Sequence, residues 1–137
     1  MLFSHKDYLN YELPNDWCSE EDGDNLLIYN PNGEGAMTVS FFTVLETRKT
    51  LDEYISIMAK KFVDQNQITL HTPLILYGSE KTKIILYGTG ITSDNWFIKL
   101  WYVAKYPKIV FATYHSEKIT SEVKKCDAVV DSMSLFI

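Results

Sequence analysis

Three histidines are the side chains best suited to proton transfer or metal binding, and the sequence scatters them. His5, His71 and His115 lie far apart, and none has a second histidine or a cysteine two or four positions away. A zinc site needs three or four converging ligands, so this spacing favours no metal centre. The chain also lacks the common metalloprotease, serine-hydrolase and phosphate-loop signatures. We therefore expect no cofactor and interpret His115, at the end of a predicted strand, as structural.

Folding could still assemble a catalytic pair from residues that are distant in sequence. The enzyme hypothesis that we retain brings a carboxylate, Glu12 or Asp16, close to His115.

Gly88-Thr-Gly90 resembles part of a phosphate loop but lacks a third glycine and a following helix. Within a strand, this pattern instead indicates a bulge or a position where a bulky side chain crosses the sheet.

Acidic residues are concentrated near the N-terminus. Residues 1–35 contain eight acidic residues and one lysine, which gives this segment a net charge of 1 − 8 = −7. The net charge of the whole chain is −5. The segment 20–24 superficially resembles a calcium loop but lacks the spaced oxygens and terminal glutamate of that motif. We predict a solvated turn between two strands and, as its function, docking of a basic protein partner. The predicted docking residues are Glu20, Glu21, Asp22 and Asp24.

Side chains of the strand predicted over residues 96–106 point alternately to its two sides, and both sides carry apolar residues. The even-numbered side is assigned to a helix-covered core. The odd-numbered side combines aromatic rings with lysines, which is typical of an interface centre if that side faces solvent. Lysine stems covering the rings are the competing explanation. The residues predicted to bind a ligand or partner on this open sheet face are Phe97, Lys99, Trp101 and Lys105.

Composition excludes several function classes. An acidic chain whose only arginine is Arg48 is poorly suited to nucleic acid, because phosphate neutralisation needs clustered basic residues. No stretch of 18 apolar residues or N-terminal signal pattern occurs, so we expect a cytoplasmic protein without a membrane partner. Cys18 and Cys126, distant and without CxxC spacing, are interpreted as buried free thiols in a reducing compartment.

Turn signals and apolar runs predict one α+β domain over residues 1–137. Three N-terminal strands precede an amphipathic helix that starts at a Thr50–Glu53 capping box and runs to about Gln65. Four meandering antiparallel strands and a second amphipathic helix follow. We expect a sheet of about six or seven strands with both helices covering one face. The apolar stripe of the second helix is Val123, Cys126, Val130 and Met133.

Two short phrases carry a family resemblance. Residues 13–17 read Leu-Pro-Asn-Asp-Trp, in which Trp17 is expected to fold back on the core, and residues 132–136 read Ser-Met-Ser-Leu-Phe. With the order of elements, they make nearly the whole chain resemble the PsbP-like proteins, whose fold includes a Ran-binding nuclear-import factor and many small bacterial proteins. The resemblance implies an antiparallel sheet between helices, and binding instead of catalysis.

These observations lead to three hypotheses about function. The first is a non-catalytic protein-binding module of a bacterial cytoplasm, of an immunity or adaptor type. The second is a small-ligand carrier that uses the open aromatic sheet face. The third is an enzyme with a site assembled from distant residues.

Overall fold

A computed structural model describes the protein over residues 2–6, 8–44 and 49–136. Within these ranges the chain forms two helices and eleven strands. The helices are α1 (Leu51–Gln65) and α2 (Glu122–Ser132). The strands are β1 (Leu2–His5), β2 (Leu9–Glu12), β3 (Cys18–Asp22), β4 (Asn25–Tyr29), β5 (Ala36–Thr43), β6 (Thr69–Leu70), β7 (Ile75–Ser79), β8 (Lys83–Ile91), β9 (Phe97–Lys105), β10 (Lys108–Ser116) and β11 (Ser134–Leu135).

Eight strands form one antiparallel sheet in the order β3-β4-β5-β10-β9-β8-β6, with β7 also pairing with β8. A separate sheet has the order β1-β2-β11. The predicted α+β class and antiparallel meander are confirmed, but the main sheet is larger than expected. The additional strands include β6, between α1 and the meander, and β3, in the segment predicted to be a solvated acidic turn.

Helix α1 begins as its sequence predicts. Thr50 is the N-cap, and its Oγ1 accepts a hydrogen bond from the backbone N of Glu53 at 3.3 Å. Leu51, Ile55 and Ala59 form its buried stripe. This stripe packs in one cluster with even-numbered β9 residues, including Leu100 and Tyr102. The cluster defines what we call the α1 side of the sheet.

Helix α2 packs on the opposite face. Its buried residues, Cys126, Val129 and Val130, cluster with the odd-numbered β9 residues Trp101 and Val103. Because successive strand residues point to opposite faces, the two helices lie on different sides of the sheet. The prediction that both helices cover one face is therefore wrong, and the resemblance gave the correct arrangement. Both sides of β9 are apolar, so both must be covered.

Three smaller predictions have different outcomes. A Cβ on Gly88 would lie 2.5 Å from Cδ2 of Leu74, so the glycine does mark the position where a bulky side chain crosses the strand. Trp17 is buried in the α2-side cluster, as expected. The two cysteines are free, but only Cys126 is buried. The expectation for Cys18 is wrong because this residue begins the exposed edge strand β3.

Candidate docking surface and cavity

The face predicted to be open is sealed. Phe97 is 6% exposed and Trp101 is 2% exposed, and both belong to the core cluster beneath α2. Lys99 is also buried, at 8% exposure. The prediction that these residues form an accessible surface is therefore wrong. Lys105, at the end of the row, is half-buried in a shallow groove next to Asp131.

An ionic contact explains how a lysine lies within this sealed face. Lys99 Nζ is 2.7 Å from Oδ1 of Asp127 on α2, and Trp101 Nε1 donates to the same oxygen at 3.0 Å. The ammonium also lies 4.8 Å from the ring centroid of Tyr87 and 5.2 Å from that of Trp101. The lysine therefore joins β9 to α2 and does not mark a solvent-facing row.

A different part of the sheet is open. On the α1 side, the helix packs over β8, β9 and β10, and no element in the described ranges covers β3, β4 and β5. The strand register places the uncovered side chains in rows that run from β10 through β5 and β4 to β3. We call this surface the open half-face. Two of its rows are His115–Ala36–Tyr29–Cys18 and Thr113–Thr38–Leu27–Glu20.

The four predicted acidic docking residues lie on or beside β3, the edge strand of the sheet, and all four are exposed. Strand alternation divides them between the two sides. Glu20 and Asp22 share the open half-face, where Tyr29 Oη donates to Glu20 Oε2 at 3.4 Å. The negative charge of Glu20 raises the pKa of Tyr29.

Glu21 and Asp24 lie towards the other side. Glu21 Oε1 is 3.9 Å from Nδ1 of His5, and Asp24 borders a cavity that His5 also lines. The imidazole of His5 is buried, and this desolvation lowers its pKa, with a further contribution from Lys6. The acidic residues therefore surround the tip and edge of one hairpin and do not form a single flat patch.

A cavity of about 510 Å³ adjoins the open half-face. It lies between the C-terminal end of α1, the β8–β9 turn and the α1 side of β5 and β10. Its polar lining includes five hydroxyl groups, an amide, an imidazole and a carboxylate, and its aromatic lining comes from three elements. The residues that line it include Thr38, Ser40, Phe62, Asp94, Trp96, Phe111, Thr113 and His115.

The catalytic combination considered from sequence is not assembled. His115 points to the α1 side, and burial of its ring lowers its pKa. Glu12 lies at the end of β2, where its backbone N donates to Ser132 Oγ at 2.8 Å on the α2 side. Neither Glu12 nor Asp16 lines the His115 cavity, whose carboxylate is Asp94.

Two absences concern only the described residues. No group of three or more His, Cys, Asp or Glu residues there is arranged to hold a metal ion. Neither helix within residues 2–6, 8–44 and 49–136 combines the length and apolar character needed to cross a bilayer.

Sequence reasoning missed both the Lys99–Asp127 contact and the cavity. Asp127 falls off the apolar stripe of α2, so its spacing alone suggests a solvent-facing residue. A buried lysine on a strand requires an anionic partner, and this requirement is the signal that could have found Asp127. The cavity joins elements that are far apart in sequence, and no local pattern predicts it.

Comparisons with solved structures define the fold. The chain is similar to cyanobacterial PsbP (CyanoP) from Synechocystis sp. PCC 6803, with a TM-score of 0.69, 13% identity, and coverage of 99% of this chain and 92% of that one. It is also similar to a mutant of the protein Mog1, with a TM-score of 0.59, 7% identity, and coverage of 93% and 90%. A crystal structure from Bacteroides thetaiotaomicron VPI-5482 matches at a TM-score of 0.55 and 17% identity over 93% of this chain and 44% of that one.

No family model and no curated protein matches the chain by sequence. The structural likenesses show a PsbP-like fold, which is shared with Mog1. The identities are low, so the likeness describes architecture and assigns no activity to any residue.

Proposed function

We propose that this protein is a non-catalytic binding module that docks a basic protein partner through β3 and the adjoining open half-face. The observation that carries the proposal is the acidic edge strand, whose charged residues are exposed on both of its sides. The proposal assigns no catalytic residue, because Glu12 and Asp16 lie away from His115.

An edge strand can bind a partner through its backbone as well as its side chains. Hydrogen-bonded pairs alternate along an antiparallel ladder, so every second residue of β3 directs its N–H and C=O away from β4. An extended segment of another protein can pair with these groups and add a strand to the sheet. Acidic side chains along the same strand repel further copies of this chain and favour a segment of opposite charge.

Charge and fold agree with such a role. The net charge of −5 is concentrated near the N-terminus, and opposite charges steer association. The PsbP-like fold that the sequence resembles includes a Ran-binding nuclear-import factor, so protein recognition is compatible with this architecture. We place the module in a bacterial cytoplasm, where an adaptor or an immunity protein for a basic toxin are the forms that the charge favours.

Association kinetics test the proposal. A partner captured from lysate is purified, and its on-rate is measured over a range of salt concentrations for the native chain and for E20Q/E21Q/D22N/D24N. We expect the on-rate at low salt to fall by roughly tenfold or more and its salt dependence to flatten. An unchanged on-rate would contradict the proposal.

The matched control removes the same charge from other exposed sites, in D52N/D64N/E80Q/E117Q. This variant should retain most of the salt dependence if docking uses β3. The pairs E20Q/D22N and E21Q/D24N then separate the two sides of the strand. We expect the larger effect for E20Q/D22N, because these two residues share the open half-face.

The small-ligand alternative cannot use the site predicted for it. Phe97 and Trp101 are buried, and Lys99 is paired with Asp127. The cavity on the α1 side is the specific observation that favours ligand binding elsewhere.

A further inference from the structure

The cavity beside α1 has a size that suits a small organic molecule. Its volume of about 510 Å³ falls within the range of roughly 300–1,000 Å³ that is usual for ligand sites. Its walls come from the sheet, from α1 and from the β8–β9 turn. The cavity is therefore a depression between packed elements, not a gap within one loop.

The charges around the cavity favour a cation. Asp94 is the only acidic residue in its described lining, which also includes no lysine or arginine. Burial lowers the pKa of His115, which favours its neutral form near pH 7. An anion would meet no positive side chain among these described residues.

Aromatic rings supply a second element of cation recognition. Trp96 is 41% exposed where it borders the cavity, and indole is the best aromatic partner for a cation. Phe62 and Phe111 form an edge-to-face pair with centroids 4.8 Å apart, and Phe111 also stacks on Tyr102 at 4.5 Å. These packed rings form a fixed apolar wall for the body of a ligand.

The turn that carries Trp96 and Asp94 is held by its own hydrogen bonds. The backbone N of Thr92 donates to the carbonyl of Trp96 at 2.9 Å, and the N of Asn95 donates to the carbonyl of Thr92 at 2.9 Å. Trp96 N also donates to Thr92 Oγ1 at 3.1 Å. These bonds fix the backbone of the short turn that carries the ring and the carboxylate to the cavity.

Several polar side chains in the cavity have no hydrogen-bond partner among the described residues. Thr113 is 7% exposed, lines the cavity, and makes no side-chain hydrogen bond within the described part of the chain. The side chains of Thr38, Ser40 and His115 likewise have no hydrogen bond within residues 2–6, 8–44 and 49–136. Hydroxyl oxygens and a neutral imidazole accept hydrogen bonds, which suits an ammonium or guanidinium that only donates them.

From this combination we propose that the cavity binds a small organic cation, an amine or guanidine with a short apolar body. Asp94 faces the charge, Trp96 covers it, and the phenylalanine pair contacts the apolar body. The hydroxyl group of Thr113 accepts one of the N–H donors. This site is separate from the acidic edge and does not depend on the docking proposal.

A matched series of probes tests the charge. Phenethylammonium and phenethylguanidinium are cations, phenethyl alcohol is neutral, and phenylacetate is an anion of similar shape. Each is titrated into the ¹⁵N-labelled chain while the three indole N–H resonances are followed. The indole of Trp96 should shift with the cations, whereas the buried Trp17 and Trp101 serve as internal references.

Substitutions locate the interaction. We expect D94N to weaken binding of the cations by roughly fivefold or more and W96A by about tenfold. T113V, which replaces the hydroxyl with a methyl group, should weaken it by about threefold. E80Q, a charge change at an exposed residue outside the cavity lining, should have no effect.

The outcomes separate clearly. Cation-selective shifts at Trp96 that D94N weakens and E80Q does not would support the site. Equal binding of the alcohol and the anion, insensitivity to D94N, or no shift with either cation would overturn it. Native-like spectra of each variant establish that the fold is retained. Because E20Q/E21Q/D22N/D24N retains every residue of the cavity lining, failure of docking and failure of cation binding can be told apart.

Discussion

The two sides of the main sheet are covered to different extents. On the α2 side, a helix and a three-stranded sheet together bury a continuous core that includes Trp17, Trp101 and Tyr114. On the α1 side, one helix covers the strands from β8 to β10, and the β3–β5 half remains accessible. The lysine in the β9 row did not identify the accessible side of the sheet, because Lys99 lies on the sealed side.

Element size explains the contrast. A helix with its side chains is about 10 Å across, and neighbouring strands are about 4.8 Å apart. One helix therefore covers roughly two or three strands, which is less than half of a sheet of eight strands. The α2 side has a second covering layer, β1-β2-β11, and the α1 side has none in the described ranges. The binding surfaces that we propose lie on the part of the α1 side that the helix does not cover.

Thiol labelling should give the largest contrast, because each side carries one free cysteine. Cys18 lies exposed on the open half-face, whereas Cys126 is buried under the α2 side, where desolvation raises its pKa to about 12. We expect Cys18 to react on the order of a thousand times faster, because Cys126 becomes accessible only when the fold opens. Mass spectrometry after timed alkylation measures both rates. Comparable rates would contradict the sealed side.

Tryptophan substitutions should give the next largest contrast. W101A removes a fully buried ring and should lower the free energy of unfolding by about 3–5 kcal/mol. W96A removes a ring that is 41% exposed and should cost less than about 1 kcal/mol. Urea denaturation of the two variants provides the comparison. Similar losses in the free energy of unfolding for W101A and W96A would contradict the difference in packing between the two sides of the sheet.

The Asp127 contact should have a smaller effect. D127A leaves the Lys99 ammonium without its carboxylate and Trp101 Nε1 without its acceptor, and we expect a loss of about 1.5–3 kcal/mol. Asp127 is 38% exposed, so water can compensate in part and the lower end of that range is expected. Urea denaturation of D127A is compared with that of D64A, on the exposed surface of α1.

A second variant separates the charge from the packing at this contact. K99M/D127A should be more stable than D127A alone, because it removes the unpaired buried ammonium. A loss below about 0.5 kcal/mol for D127A would instead mean that the contact does not hold α2 to the sheet.

The sequence by itself determined the local elements whose signals are self-contained. The Thr50 cap and the apolar spacing behind it are sufficient to locate α1, because capping and helical periodicity depend only on neighbouring residues. Turn residues between apolar runs likewise predict the β4–β5 hairpin and the β7–β10 meander. The resemblance of residues 13–17 and 132–136 pointed to the PsbP-like fold.

Only the tertiary structure decided which side of the sheet each helix covers. Periodicity identifies the apolar stripe of a helix, but β9 offers an apolar row on each side, so both arrangements satisfy the local pattern. Strand β3 is formed by pairing with β4 although its residues have low strand propensity. The cavity likewise exists only where α1, the β8–β9 turn and β10 meet. Such features depend on contacts between distant segments, and no window of neighbouring residues contains them.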